Sequence, residues 1–338
     1  MMRLYTLPKT GAISDLTLAE RDTPRPARGQ VLVRMRAASL NYRDLMIVTG
    51  RYGRGGVAQD RVPLSDGAGE VVEIGEDVTR FGVGDRVAGI FMQNWLGGEV
   101  NDSHPGSALG GAVDGVLSEY VLFDQQGLVT LPEHLSFEEG ATLPCAAVTA
   151  WNALYAGKSP LKAGDSVLLL GTGGVSMFGL QFARAAGARA IQTSSSDDKL
   201  ARVRELGADD TINYRQTPEW QEEVQRLTDG RGVDHVVEVG GAGTLPRSIE
   251  SARLGGQVNL IGVLTGGEIN PTDIMRKSVL MRGIFVGSRE MFEQMNRAIA
   301  HHRIKPVIDR TFGFNEARAA FEHLESQQHL GKVVITLD

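Results

Sequence analysis

The chain lacks several features that whole classes of protein depend on. It contains one cysteine, Cys145, among 338 residues, so it has neither an intramolecular disulfide nor a zinc knuckle built on several cysteines. No apolar run reaches the roughly 18 residues that cross a bilayer, and the first residues lack the apolar core of a secretory signal. We therefore expect a cytoplasmic protein without a membrane partner.

The chain also lacks an excess of positive charge. Lys and Arg number 35 against 41 Asp and Glu, which gives a net charge of −6. Proteins that bind nucleic acid usually carry a basic patch, so we expect a small-molecule ligand and no nucleic-acid partner. The composition, 42% hydrophobic and 22% charged, is that of a globular protein. The length favours two domains, because single cores rarely grow beyond about 250–300 residues.

Glycine is abundant, and its most informative cluster lies in the segment 165–187. There an apolar run is followed by Gly171, Gly173 and Gly174, and then by a helical pattern. Glycines let backbone N–H groups approach a diphosphate, and a helix N-terminus favours the anion. The G-x-G-x-x-G fingerprint is incomplete, because Ser176 stands at the third glycine position. Taken alone, the segment is either a dinucleotide site or an ordinary glycine-rich turn.

The residues after this turn favour the dinucleotide site. They alternate between predicted strands and predicted helices, which is the pattern of a doubly wound parallel sheet. The predicted strands are 189–193, 209–213, 233–239 and 257–263, and the predicted helices are 197–206, 218–228 and 244–253.

The two ends of the chain differ from this middle part. The first part holds short β-type runs broken by glycine and proline, which are typical of a mostly antiparallel or barrel-like domain. The last part predicts helix, strand, helix and strand, and a return to the first domain. We therefore divide the chain into a first domain at 1–126, an α/β domain at 127–288 and a C-terminal return at 289–338.

Four further stretches are SLNYRDLMIVTGRY at 39–52, DGAGEVVEIGEDVTRFGVGDRV at 66–87, LPCAAVTAWNAL at 143–154 and HLGKVVI at 329–335. With the glycine turn, the chain resembles the medium-chain dehydrogenase/reductase superfamily, and within it the zinc-free quinone oxidoreductase-like branch. The resemblance implies an α/β fold, with a GroES-like β-barrel domain and a Rossmann doubly wound parallel-sheet domain. It also implies a homodimer joined at sheet edges, for which we predict the apolar strand 258–264.

The resemblance allows each zinc-ligand position of the relatives to be compared with the residue in this chain. Zinc-dependent relatives hold a catalytic zinc with a Cys, a His and a second Cys, and a Glu lies nearby. These positions fall on Asn41, Ser65, Cys145 and Asp66, respectively. One thiol without an imidazole does not make the three-ligand site that a catalytic zinc requires, so we predict chemistry without a metal.

The end of the second predicted strand of the α/β domain favours NADPH over NAD. An NAD enzyme tends to place Asp or Glu there, whereas this chain places TSSS at 193–196, where the Ser195 hydroxyl can donate to a phosphate. In NADPH-dependent relatives a Lys and a Tyr at the positions of Lys199 and Tyr214 hold the 2′-phosphate. We interpret the acidic pair at 197–198 as the first turn of the next helix, where acids complement the dipole.

Hydride transfer to a carbonyl, or to the β-carbon of an enone, leaves negative charge on an oxygen that side chains must stabilise. The resemblance offers Asn41, Ser65 and Tyr52 for this task. Tyr52 is either a proton donor or a rim tyrosine that only packs on the substrate. We interpret Asp44 as a structural acid that forms an internal ion pair or hydrogen bond.

The remaining expected cofactor contacts are also implied by the resemblance. Arg289 follows a predicted apolar strand at 284–286, where the backbone of the family reaches the nicotinamide carboxamide. The full set of cofactor contacts is Gly171, Gly173, Gly174, Val175, Thr149, Ser195, Lys199, Tyr214, Arg289 and Lys332.

We therefore expect a zinc-independent, NADPH-dependent oxidoreductase that transfers hydride to a quinone or an enone/enoyl substrate. Two alternatives stay open. One is a metal-free NADP-dependent alcohol or carbonyl oxidoreductase, and the other is a non-catalytic NADPH-binding protein.

Overall fold

The computed structural model describes residues 1–53 and 57–337. In these residues the chain forms fifteen strands and ten α-helices. The strands are β1 (Met2–Thr6), β2 (Thr17–Arg21), β3 (Gln30–Ser39), β4 (Asp66–Ile74), β5 (Arg86–Gly89), β6 (Tyr120–Asp124), β7 (Leu128–Thr130), β8 (Ser166–Leu169), β9 (Arg189–Ser194), β10 (Asp210–Asn213), β11 (Val233–Glu238), β12 (Ala252–Leu260), β13 (Leu280–Gly283), β14 (Ile308–Gly313) and β15 (Lys332–Thr336). The helices are α1 (Tyr42–Val48), α2 (Phe137–Ala141), α3 (Val148–Tyr155), α4 (Gly174–Ala185), α5 (Asp197–Glu205), α6 (Trp220–Leu227), α7 (Leu245–Ser251), α8 (Pro271–Lys277), α9 (Arg289–His302) and α10 (Ala317–Glu325).

The chain divides into two compact units. Unit 1 comprises Met1–Val148 and Gly287–Asp338, and unit 2 comprises Thr149–Val286. The first boundary therefore lies well beyond the predicted residue 126. The reason is that β7 pairs with β5 of unit 1, so the chain continues to build the first unit after that residue.

Unit 1 is built mainly from antiparallel strands. Its larger sheet has the order β14-β15-β3-β4-β5-β7, and β6 pairs with β3 beside this path. Only β14 and β15 pair in parallel among the strands described for this sheet. Buried side chains such as Leu45, Phe321 and Val333 form its core together with the inner residues of β3. Because β15 pairs with β3, the C-terminal segment returns to the N-terminal one.

Unit 2 is a six-stranded parallel sheet in the order β10-β9-β8-β11-β12-β13. This is the doubly wound order in which the direction of strand addition reverses beside the first strand, here β8. The central strands are apolar because helices cover both faces, and Val167, Leu168 and Val236 are fully buried. No helix in the described ranges is both long and apolar enough to cross a membrane.

One predicted sheet edge and one predicted strand are wrong. β12 pairs with β11 on one side and with β13 on the other, so the predicted strand 258–264 does not form the sheet edge. The strand that ends the sheet in the described residues is β13. It has four residues, which is too short for an alternating pattern that would predict a strand. The predicted strand 284–286 does not form. The Ile284 N–H still donates to the Leu260 carbonyl at 2.9 Å, but the chain then leaves the sheet, and Val286 adopts a φ of +57°.

Candidate functional site

Three strand ends of unit 1 meet at one place. β3 ends at Ser39, which pairs with Asp66 at the start of β4 and with Val334 of β15. The residues just after β3 therefore lie close to the first residues of β4 and β15, although these segments are far apart in sequence. This register brings Asn41, Asp66 and Lys332 into one polar cluster.

The Lys332 ammonium is the buried centre of this cluster. It is 3% exposed, and it donates to the Leu40 carbonyl and to Asn41 Oδ1, each at 2.6 Å. Its nitrogen lies 4.0 Å from Asp66 Oδ2. The ammonium holds Asn41 Oδ1, and the amide nitrogen Nδ2 is the donor through which the Asn41 side chain lowers the pKa of Asp66. Nδ2 is buried, and it makes no hydrogen bond of ordinary length and angle to residues 1–53 and 57–337.

Asp66 joins the other two positions that correspond to zinc ligands in relatives. The Ser65 hydroxyl donates to Asp66 Oδ1 at 2.7 Å, and the Cys145 backbone N–H donates to Asp66 Oδ2 at 3.0 Å. Burial raises the pKa of Asp66, while Lys332 and then Ser65 work in the opposite direction. Burial, followed by the charge of Asp66, raises the pKa of the Cys145 thiol, which therefore stays protonated at neutral pH.

Asp44 and Arg43 flank this cluster from the first turn of α1. Asp44 is buried; it accepts the Asn41 N–H at 2.8 Å and Arg43 Nη1 at 3.0 Å. Burial raises the pKa of Asp44 to about 6, because the lowering effect of Arg43 is smaller and Asp66 adds to the rise. The expected structural role of this acid agrees with its place in the capping of the helix.

Tyr52 is connected to the cluster through Arg43. The guanidinium carbon lies 5.1 Å from the centre of the Tyr52 ring and 4.7 Å from the centre of the Phe91 ring, so the cation contacts both aromatic faces. Tyr52 itself is partly exposed. The three residues predicted to act on the substrate, Asn41, Ser65 and Tyr52, thus belong to one unit and to one contiguous polar region.

These residues do not fit a catalytic zinc. Of the three positions that hold zinc in relatives, one carries a sulfur, Cys145, and the other two carry Asn41 and Ser65. The carboxylate of Asp66 is already engaged by Ser65 and a backbone N–H. The buried Lys332 ammonium adds a positive charge where a divalent cation would need negative ligands. In the described ranges, no three or more His, Cys, Asp or Glu side chains are placed to hold a metal.

The glycine turn of unit 2 has the geometry of a phosphate-binding loop. Gly171 has a φ of +69°, a conformation that glycine adopts without strain, and Gly173 directly precedes α4. A Cβ placed on either glycine would meet no atom within 4 Å, so the space beside the turn is open. The first helical residues, Gly174 and Val175, place their backbone N–H groups at the helix N-terminus, where an anion binds favourably. The residues therefore fit a dinucleotide diphosphate.

The close packing expected of a third glycine is divided between two residues. Ser176 is buried, and its hydroxyl donates to the Leu170 carbonyl at 2.6 Å, which ties the helix to the end of β8. Gly179 makes the close approach, because a Cβ there would come within 2.7 Å of the Leu169 side chain. Gly179 was not among the predicted residues, although its position three residues after Ser176 on the same helix face was a usable signal.

The predicted 2′-phosphate residues lie at the ends of β9 and β10. Ser196 caps α5 by accepting the Lys199 N–H at 3.4 Å, and the Tyr214 N–H donates to the Ser194 carbonyl at 3.0 Å. Ser195 is partly buried between them. The structure therefore brings Ser195 and Tyr214 to neighbouring strand ends and places Lys199 in the first turn of α5, which follows β9.

The nearby acid is held by amides. Asp197 begins α5 as predicted, and its two carboxylate oxygens accept Asn213 Nδ2 and Gln216 Nε2, each at 2.7 Å. Both hydrogen bonds fix the carboxylate toward the end of β10 and the residues that follow it. The sequence analysis named the acid but not the two amides that bind it.

The remaining predicted cofactor contacts are divided between the units. Thr149 is buried in α3 of unit 2. Arg289 belongs to unit 1, where its Nη1 donates to Gln126 Oε1 at 2.6 Å and its Nε lies 3.5 Å from Glu293. Lys332 also belongs to unit 1 and is bound to Asn41, a link that the sequence analysis did not foresee.

Comparison with known proteins decides the family. Residues 27–133 match the family model of the alcohol dehydrogenase GroES-like domain, and residues 174–301 match that of the zinc-binding dehydrogenases. A zinc-type alcohol dehydrogenase-like protein of Schizosaccharomyces pombe is 47% identical over 317 residues, which are 92% of this chain and 91% of that protein. The chain belongs to the medium-chain dehydrogenase/reductase superfamily. It is therefore an oxidoreductase of a family that uses a nicotinamide dinucleotide, and unit 1 contains its GroES-like domain while unit 2 is Rossmann-like.

Members of this superfamily with different names are similar to the chain over nearly its whole length. The quinone oxidoreductase of Rattus norvegicus is 29% identical over 322 residues, covering 93% of this chain and 91% of that protein. The crystal structure of a putative alcohol dehydrogenase from Sinorhizobium meliloti 1021 is 42% identical with a TM-score of 0.92, and it covers 99% of this chain and 98% of that chain. These names span more than one substrate class.

The raised pKa of Asp44 predicts a pH dependence of stability. Folding raises this pKa from 3.8 to about 6, so the folded state holds the proton more tightly than the unfolded state. The free energy of unfolding, relative to an Asp44→Asn variant, should then fall by roughly 3 kcal/mol between about pH 4 and pH 6 and stay level above. Urea unfolding of both proteins across this range measures the difference.

Asp234→Asn is the matched control for this prediction. Asp234 is also a buried acid that pairs with arginines, Arg231 and Arg253, but its pKa is lowered by these partners. Nearly all of its contribution is already present at pH 4, because this is above the unfolded-state pKa, so the difference from wild type should rise by only about 0.3 kcal/mol over the same window. A nearly constant difference for Asp44→Asn as well would contradict the predicted shift.

Proposed function

We propose that the protein is a zinc-independent, NADPH-dependent oxidoreductase that transfers hydride to a conjugated carbonyl, either a quinone or an enone/enoyl substrate. The observation that carries the proposal is the buried Nδ2 of Asn41, which makes no hydrogen bond of ordinary length and angle to the described residues and lies on the amide that the Lys332 ammonium holds. A buried donor without an acceptor costs free energy unless a ligand supplies one. A substrate oxygen that gains negative charge is such an acceptor.

Each side chain of the polar region then has its own task. Lys332 orients the Asn41 amide, and Asn41 Nδ2 donates to the substrate oxygen. Tyr52 supplies the proton that the reduced product needs, and the Arg43 cation under its ring holds it in place. The Ser65 hydroxyl already donates to Asp66, so we assign it to holding that carboxylate rather than to donating to the substrate.

Unit 2 binds the cofactor in this proposal. The backbone N–H groups of Gly173, Gly174 and Val175 would hold the diphosphate, Gly171 forms the turn, and Thr149 would contact the nicotinamide. When bound, NADPH supplies the hydride. The 2′-phosphate is held by Ser195, Lys199 and Tyr214. The binding of Asp197 to two amides supports NADPH over NADH, because the acid next to this site already has its partners.

A homodimer joined through β13 is also part of the proposal. This edge strand and the segments beside it expose large apolar side chains: Val263 is 68% exposed, Met275 66%, Phe285 42% and Leu280 36%. An exposed apolar edge strand favours pairing with another chain. The partner we propose is a second copy of this chain. It would pair at β13 and not at the predicted edge 258–264.

The substrate class separates the proposal from its alternatives. Alcohol dehydrogenases among the relatives favour a metal-free alcohol or carbonyl oxidoreductase as the second candidate. We expect purified protein to oxidise NADPH with quinones, enals or enoyl thioesters, and to contain less than stoichiometric zinc in the same sample. Turnover of alcohols alone would favour the second candidate, and tight NADPH binding without any turnover would indicate the non-catalytic alternative.

Replacing Tyr52 by Phe tests its chemical role. A positioned proton donor contributes about 10²–10⁴-fold to a rate, so kcat should fall at least about tenfold while the KM for the substrate changes little. Tyr120→Phe removes a hydroxyl from another tyrosine of unit 1 and should leave kcat unchanged. An unchanged rate for Tyr52→Phe would assign this residue to packing on the substrate.

Replacing Lys199 by Ala tests the choice of cofactor. Loss of a charged hydrogen bond to the 2′-phosphate should raise the KM for NADPH by about tenfold or more and leave that for NADH nearly unchanged. Arg202→Ala, which removes an exposed cation from the next turn of the same helix, is the control and should affect neither. Equal effects of Lys199→Ala on both cofactors would remove this residue from the 2′-phosphate site.

A further inference from the structure

Val286 is held in a backbone conformation that its side chain disfavours. Its φ is +57°, in the left-handed region, where a β-branched residue is a genuine outlier. Such strain persists only where the surrounding structure determines the conformation, and it concentrates at functional sites. The residue is 5% exposed, so contacts rather than solvent fix its conformation.

The contact that fixes Val286 comes from Asn152 on α3. Asn152 is 4% exposed, and its Nδ2 donates to the Val286 carbonyl at 2.6 Å. The amide is itself held by Arg282 of β13, whose Nη2 donates to Asn152 Oδ1 at 2.7 Å and whose Nη1 donates to the Asn152 carbonyl at 3.1 Å. These three residues form a chain of hydrogen bonds inside unit 2, in which the guanidinium fixes the direction of the amide.

Val286 lies on the half of the sheet that receives the second mononucleotide. All six strands are parallel, so the end of β13 lies on the same edge as the glycine turn that follows β8. A dinucleotide crosses this edge at the point where the strand order reverses, with one mononucleotide on each half. The glycine turn and the 2′-phosphate residues belong to β8, β9 and β10, which leaves β11, β12 and β13 for the nicotinamide half.

We propose that Asn152 and Arg282 are positioning residues for the nicotinamide end of the cofactor. They hold Val286 in its left-handed conformation and so set the direction in which the backbone groups of 284–286 face. This inference rests on the proposed function, because it requires a nicotinamide dinucleotide on unit 2. Neither side chain needs to touch the cofactor.

The test compares two ligands that share the adenine half. Adenosine 2′,5′-bisphosphate contains the 2′-phosphate and the adenosine but no nicotinamide, whereas NADPH contains both halves. In the full-length Asn152→Ala variant we expect the Kd for NADPH to rise about tenfold, and that for the bisphosphate to stay within about twofold of wild type. Calorimetric titration measures both affinities without any turnover, and unchanged bisphosphate binding shows that unit 2 is folded.

A matched control and a rescue sharpen this result. Asn296 is another buried Asn whose Nδ2 donates to a backbone carbonyl, that of Thr130 at 2.9 Å in unit 1, so Asn296→Ala should change neither affinity. Adding Val286→Gly to Asn152→Ala should restore part of the NADPH affinity, because glycine adopts a positive φ without being held. Should Asn152→Ala fail to fold, Arg282→Gln breaks the same chain one step earlier and provides the same comparison.

The outcomes separate a failure of the proposed function from a failure of the positioning role of Asn152 and Arg282. Wild type that binds neither NADPH nor NADH contradicts the proposed function and this inference with it. Wild type that binds NADPH, together with a variant that weakens both ligands equally or neither of them, contradicts the inference alone.

Discussion

The buried ammonium of Lys332 is the interaction on which the polar region of unit 1 depends. A charge removed from water is stable only when it is paired and hydrogen-bonded. Here the pairing is supplied by the Leu40 carbonyl, by Asn41 Oδ1 and, at 4.0 Å, by Asp66. The same contacts connect the last strand of the chain to the end of β3. The Lys332 ammonium therefore both orients the Asn41 amide and holds the last strand of the chain against the end of β3.

The parts of the fold that sequence could predict are those encoded by local patterns. The glycine turn, the alternation after it and the return of the C-terminal segment each follow from residues that are neighbours in sequence. The link between Lys332 and Asn41 joins residues 291 positions apart, and only the register of β15 on β3 reveals it. The resemblance named both residues but could not say that one orients the other.

The wrong sheet edge at 258–264 and the wrong strand at 284–286 have a common physical cause. Apolar runs at 258–264 and 284–286 have the composition of strands, but composition does not reveal which strand ends a sheet or where a chain leaves it. The edge strand β13 is short, and it carries Arg282, whose side chain turns back to Asn152. The outlier at Val286 is likewise set by a side chain from another element, which no local propensity contains.

The charges of the polar region also determine which kind of charge it stabilises on a bound substrate. Two cations, Arg43 and Lys332, lie among two carboxyl groups, Asp44 and Asp66, and burial raises the pKa of both acids. Each proton taken up by an acid leaves the cations less compensated. In a buried region such an excess of positive charge acts strongly on a nearby oxygen, since little water screens it. On the proposed function, the region thus stabilises an oxygen that becomes negative during hydride transfer, a task that zinc performs in metal-dependent relatives.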